Sequence, residues 1–326
     1  MYEFYFEKTT LLITLKDEEE LTKRLIKYLN YQNLKINILI ADGSINKQQK
    51  LFYSLKHKYK YFYFGEDKNH RKYYLKIHMA LKKIKSDYVF FCDQDDFINF
   101  ECLKKKENFL SKNSIFSAAK GLIYNFQNNK EKILLTERSY LKEAINNKST
   151  FKRLRNNFHF RSYYCLHRTK NLKKFYNLVV KNKLNDPRSA EFIVDIGTLL
   201  IGQVHLVNEY SLLRCSDNKY IVHPISVETR TKWFFTKMFT NNKILKDILS
   251  INKTIRLSLL SFKIMILVYD IIPVFFRRKI ARFKYLYSRI LFKSGIRTNN
   301  NVKKKYFRFH ETKKIFNLLN NLIDIK

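Results

Sequence analysis

Glycine and proline are nearly absent from this chain, at 6 and 3 of 326 residues, and there is one tryptophan. With so little glycine, a Gly-rich phosphate loop is excluded where it would matter most. The segment Thr14-Leu15-Lys16-Asp17-Glu18-Glu19-Glu20, which follows the first apolar run, has none. Cysteine is also sparse. Cys92, Cys102, Cys165 and Cys215 are scattered without the paired spacing of a zinc site or a disulfide framework, which fits a reducing compartment. His70, His78 and His159 share no ligand spacing with another His or Cys and read as structural. The N-terminus Met1-Tyr2-Glu3-Phe4 lacks the basic start and apolar core of a secretory signal, so the expected location is the cytoplasm. Acids are outnumbered: 28 Asp and Glu face 64 Lys and Arg, a formal net charge of +36. A charge of this size attracts a polyanion, whether nucleic acid, an anionic membrane face or a phosphorylated substrate. Part of it is compositional, because Lys, Asn, Ile, Phe and Tyr abound together. No RNP-like, zinc-finger or basic-zipper signature accompanies the charge, so specific nucleic-acid binding is not expected.

The chain is rich in core-forming residues, 45% hydrophobic with 16% aromatic, enough for one large domain and a smaller appendage. Thr10–Leu15 reads as a buried strand. The acids that follow open a helix with Leu21, Leu25, Tyr28 and Leu29 on one face. Ile36–Ala41, ending in Asp42-Gly43-Ser44, is a second strand, and Tyr61–Phe64 a third. A helix near Tyr73–Lys85 then leads to the run Tyr88-Val89-Phe90-Phe91. Strand, helix and strand in this order predict a parallel sheet of doubly wound α/β type. Further along, Ser117–Phe126 reads as a strand, Asn128–Asn157 as an excursion without periodicity, and Ser189–Gly202 as a helix. Val204–Val207 and Ser211–Arg214 close the domain.

The chemistry concentrates at Cys92-Asp93-Gln94-Asp95-Asp96-Phe97, where a buried strand ends in acids. Ligands of open α/β sheets bind outside the carboxyl ends of strands, and clustered carboxylates repel unless a cation joins them. Mg²⁺ or Mn²⁺ shared with a diphosphate fits such hard oxygen ligands. The competing explanation is that Asp95 and Asp96 only cap a helix beginning near Asn99.

Four segments, LLITLKD at 11–17, ILIADGS at 38–44, YVFFCDQDDF at 88–97 and AEFIVDIGTLLIGQV at 190–204 preceded by YYCLHRT at 163–169, together resemble the GT-A glycosyltransferases, in particular bacterial family-2-like enzymes of surface polysaccharide biosynthesis. The resemblance implies a Rossmann-like mixed sheet flanked by helices. It also implies transfer of a sugar from a nucleotide-sugar donor to a glycan or lipid-linked acceptor. Carried onto this sequence, it implies that Thr14, Lys16 and Asp17 line the nucleotide pocket and that Asp42 meets the base. Asp93 would reach the ribose or diphosphate. Asp95 would ligate the metal with Asp96 beside it. Glu18 stands where such enzymes often carry Arg, and in place of a Gly-rich turn Lys16, Arg71 or Lys76 would supply charge to the diphosphate. His167 and Arg168 could meet a phosphate or simply cap strand and helix.

Inverting transfer needs a carboxylate to accept the acceptor hydroxyl's proton. Glu191 is the first candidate, with Asp186 and Asp195 also in contention. A nucleotidyltransferase and a non-catalytic basic nucleic-acid-binding protein are the alternative functions. Residues 1–225 are expected to form the catalytic domain and 226–326 a basic helical region. In the latter, Arg256, Lys263, Asp270 and Arg277 recur every seven residues as one polar stripe, with Pro273 and the cluster Arg277-Arg278-Lys279 alongside. That pattern suits a helix lying on an anionic membrane surface, or one docked on the catalytic domain, rather than a membrane span.

Overall fold

The computed structural model describes residues 4–129, 132–137, 143–157, 160–215, 242–252 and 258–268. Strand β1 (Phe4–Leu15) is buried without interruption from Thr9 onward, as a strand covered on both faces must be. It pairs in parallel with β2 (Leu34–Asp42) on one side and β4 (Tyr88–Asp93) on the other, and β3 (Tyr59–Tyr63) extends the parallel set from β2. The register places Thr14 opposite both Ala41 and Asp93, and Leu15 opposite Asp42. The polar residues that end three strands therefore share one sheet edge.

Beyond β4 the sheet becomes mixed. β8 (Leu166–Arg168) runs antiparallel to β4 and to β6 (Phe116–Asn129). β6 pairs in parallel with β9 (Gln203–Cys215), and β9 pairs antiparallel with β5 (Asp96–Ile98). β7 (Lys132–Glu137) folds back on β6, so nine strands form the sheet among the described residues.

Helices cover the sheet: α1 (Glu19–Tyr31), α2 (His70–Lys83), α3 (Phe100–Lys112), α4 (Thr150–Asn156), α5 (Thr169–Lys181) and α6 (Pro187–Ile201). In α5 the spacing of Leu172, Phe175, Tyr176 and Val179 presents one apolar face, and all four are buried at ~1.5–3 kcal/mol for each large side chain. Gly197 lets α6 approach that face. A Cβ there would lie 2.7 Å from the Phe175 ring.

Several sequence expectations are corrected here. Asn128–Asn157 is not an irregular excursion, because it contains β7 and α4. The long β6 offers an edge that the LeuLeuThr-containing β7 extends as a hairpin. The two segments expected at 204–207 and 211–214 are one strand, β9. The helix after the acids is capped by Asn99, whose Oδ1 accepts the Cys102 N–H at 3.2 Å, and Asp96 lies in β5. Helix capping therefore does not explain the acids.

The chain divides into two units. The first comprises Met1–Ile221 with Lys243–Arg256, and the second Val222–Asn242 with Leu257–Lys326. The expected boundary at 225 differs from this division, in which Lys243–Arg256 groups with the first unit. There Asp247 accepts from Lys181 at 3.2 Å and from Asn182 at 3.0 Å, and Asn252 donates to the Leu200 carbonyl at 2.8 Å. In the second unit Ser258 caps the helix Leu259–Ile266. Residues 269–326, including most of the expected stripe and its Arg cluster, lie outside the described residues, as does His159. Among the described residues no helix is long and apolar enough to cross a membrane.

Candidate active site

Between β4 and β5 the chain reverses in two residues, Gln94 and Asp95, because β5 is anchored immediately afterwards. Phe97 is buried, stacks on Phe126 at 5.5 Å and meets Tyr28 edge-on at 5.0 Å. The tight reversal gathers Asp93, Asp95 and Asp96, whose ligand atoms lie within 4.8 Å of one another. Asp96 is fully buried, and its Oδ1 has no hydrogen-bond partner. Burial, then Asp95 and Asp93, push the Asp96 carboxyl well above its ordinary range. Burial and then Asp93 raise Asp95 to about 6, against the opposing pull of Arg214 and Arg24. An orphaned, buried carboxylate oxygen beside two more carboxylates fits a hard divalent cation, which would satisfy the oxygen and remove the repulsion together.

Gln94, which the sequence did not single out, clamps the end of β1. Its Oε1 accepts the Lys16 N–H at 2.8 Å, and its Nε2 donates to the carbonyls of Lys16 and Asp17 at 3.1 and 3.3 Å. The clamped turn is strained: Asp17 and Glu18 have φ of 52° and 47°, a left-handed conformation that costs about 1–2 kcal/mol per residue outside glycine. This turn stands where a Gly-rich loop is missing. Asp17 Oδ1 accepts the Ile45 N–H at 2.9 Å, tying the turn to the loop after β2.

Thr14 donates to Asp93 Oδ1 at 2.5 Å, and two further hydroxyls reach the same carboxylate, Tyr163 at 2.9 Å and Tyr164 at 3.2 Å. Burial and the nearby carboxylates hold both tyrosines well above their ordinary range, so they remain donors. Asp42, expected at the base, is buried. Its oxygens are taken by the Ser44 N–H at 2.8 Å, the Gln48 N–H at 2.9 Å and the Tyr61 hydroxyl, so it shapes the pocket loop from within. Lys76, expected at a diphosphate, is buried against Asp67 at 2.5 Å and the Leu15 carbonyl at 2.8 Å. Burial pushes the Asp67 carboxyl up and the Lys76 ammonium down, and each partly restores the other. Gly43 makes that pairing possible, since a Cβ there would sit 2.2 Å from Asp67 Oδ2. Of the other expected cations, Lys16 and Arg71 are exposed.

The α6 acids separate into three situations. Asp186 is the helix N-cap, its Oδ1 accepting the Ser189 N–H at 2.8 Å. Asp195 is buried and held by Ser162 and Arg161. Glu191 is 49% exposed, with Arg161 Nε 3.9 Å away, and burial raises its carboxyl while Arg161 lowers it. His167 and Arg168 play internal parts. The buried His167 lies against the Ser162 carbonyl at 2.6 Å, and Arg168 bonds the carbonyls of Leu110, Asn113 and Phe116, each at 2.8 Å, tying the C-terminal end of α3 to β6 and β8.

The sequence profile of glycosyl transferase family 2 matches residues 10–174, from β1 through the carboxylate turn into α5. The chain belongs to glycosyl transferase family 2. Its sheet, with the acids at the β4 end, is the GT-A fold of nucleotide-sugar glycosyltransferases. Among solved structures, S. aureus TarS 1–349 in complex with UDP-GlcNAc is similar at 16% identity and a TM-score of 0.50, over 97% of this chain and 81% of that one. A longer S. aureus TarS structure is similar at 14% identity and a TM-score of 0.45, over 97% of this chain and 49% of that one. The family-2 chain thus spans about half the length of that longer protein. No curated protein sequence matches it.

Proposed function

We propose that this family-2 chain transfers a sugar from a nucleotide-sugar donor to a glycan or lipid-linked acceptor of the cell surface, with inversion at the anomeric carbon. The observation that carries this reading is the buried Asp96 oxygen without a partner, joined by Asp95 and Asp93 at the carboxyl end of β4. Asp95 and Asp96 would hold Mn²⁺ or Mg²⁺, which when bound neutralises the charge of the departing nucleoside diphosphate. Asp93, with its three hydroxyl donors, orients toward the donor's ribose or diphosphate. Thr14 and the turn at Lys16 and Asp17 form the pocket wall beside it.

Glu191 is the base in this reading, because Asp186 and Asp195 are spent on capping and on Ser162 and Arg161. Its raised carboxyl suits proton acceptance from an acceptor hydroxyl. UDP-GlcNAc is the first donor to test, since the similar TarS structure was solved with it. Incubating the full-length protein with a panel of nucleotide-sugars and following release of the nucleoside diphosphate with and without Mn²⁺ tests the reading. Metal-independent release, or none with any donor, would overturn it. The basic tail is proposed to bring the enzyme to the anionic inner face of the membrane, where a lipid-linked acceptor would lie.

A further inference from the structure

Four consecutive residues join the donor-side acids to the helix that carries Glu191. Ser162 gives both its backbone N–H and its hydroxyl to Asp195 Oδ1 at 2.7 Å, and Arg161 Nη1 bonds Asp195 Oδ2 at 3.0 Å. The next two side chains reach the opposite way, Tyr163 to Asp93 Oδ1 at 2.9 Å and Tyr164 to Asp93 Oδ2 at 3.2 Å. The segment is also pinned from below. Buried Lys120 on β6 donates to the Arg161 carbonyl at 3.1 Å, His167 on β8 holds the Ser162 carbonyl, and the Tyr163 ring stacks on Phe91 of β4 at 4.8 Å. A segment fixed by three strands cannot move at one end without disturbing the other.

We propose that residues 161–164 are a strut that sets Asp93 relative to the carboxylates of α6, making Ser162, Tyr163 and Tyr164 positioning residues for the donor site. The inference rests on the donor-site reading above. It adds that Ser162, whose hydroxyl bonds Asp195 of α6 and not Asp93, influences donor binding through the two tyrosines.

The test is calorimetric titration of UDP with Mn²⁺ into the full-length protein, with melting temperature recorded for every variant. Absence of Mn²⁺-dependent UDP binding by the unaltered chain would overturn the donor-site reading and the strut with it, before any variant is compared. Given that binding, Tyr163→Phe with Tyr164→Phe should weaken it about tenfold or more, since two hydrogen bonds to a charged group are lost. Ser162→Ala should weaken it about threefold or more. The triple variant should lose less than the product of the two, because both act on one unit. Three results would overturn the strut: unchanged affinity in Ser162→Ala, independent multiplication of the two effects, or lowered melting temperatures with affinity intact.

Discussion

Asp95 is the carboxylate whose removal the fold should tolerate best. It is half-buried in a two-residue turn, and its carboxyl sits near 6 because burial and Asp93 oppose its charge. Between about pH 4 and 6 the folded state therefore holds a proton at Asp95 that the unfolded state has released. Stability falls as pH rises through that window, and the penalty is complete at pH 7. Asp95→Ala should abolish Mn²⁺-dependent UDP binding in calorimetry yet melt about 2–4 °C above the unaltered chain at pH 7.5, with the gap roughly halved at pH 5 and closed near pH 4. A variant that melts lower at both pH values would contradict the repulsion. For the unaltered chain, Mn²⁺ affinity should drop as pH falls through about 6, because the proton competes with the metal for the same oxygens. At this scale the sequence was legible where chemistry is local: an apolar run ending in acids announces a strand-end site. Gln94, Tyr163 and Tyr164 were not legible, because their partners lie roughly 70–80 residues away and only the sheet brings them together.

Helix α6 shows how one element gives like residues unlike roles. Pro187 at its first turn and Asp186 before it are start signals that were readable in order, and they leave Asp186 occupied. Asp195 and Glu191, one turn apart, differ because the strut reaches only the deeper of the two with Ser162. Glu191→Gln should lower kcat by roughly 10²-fold with UDP affinity little changed, the signature of a group used in the chemical step. Asp195→Asn should instead cost ~1–3 kcal/mol of stability, seen in urea denaturation, since it weakens the charged acceptor for Arg161 and Ser162. If the two variants exchange these phenotypes, the base is Asp195. Longer elements, such as α1, α2 and β1, were recoverable from the sequence pattern. β5 was not, because three residues are too few to show alternation, and its place is decided by pairing with Leu212, Leu213 and Arg214.

For the whole molecule, the proposed function assigns the charge of +36 and the family-2 fold to different partners, a surface and a donor. A chain ending at Arg256 retains the whole first unit, together with Val222–Asn242 of the second. It should bind UDP with Mn²⁺ but lose its attachment to anionic vesicles. The full chain's attachment should weaken between 0.1 and 1 M salt as the screening length shrinks from about 10 Å to 3 Å. Co-sedimentation of both proteins at the two salt concentrations checks this, and equal vesicle binding by both would remove the tail from membrane attachment. The composition foretold the charge, but not that the chain leaves its first unit and comes back, since the return depends on contacts such as that of Asn252 with Leu200. The pairing of β5 with β9 also bears on how the protein is born. Asp96 and its partner Arg214 are separated by roughly 120 residues, which a ribosome adds in about 6–24 s. Throughout that interval the acids have been made but the strand that fixes their turn has not, so on the proposed function the nascent chain cannot hold a donor until Arg214 has been added.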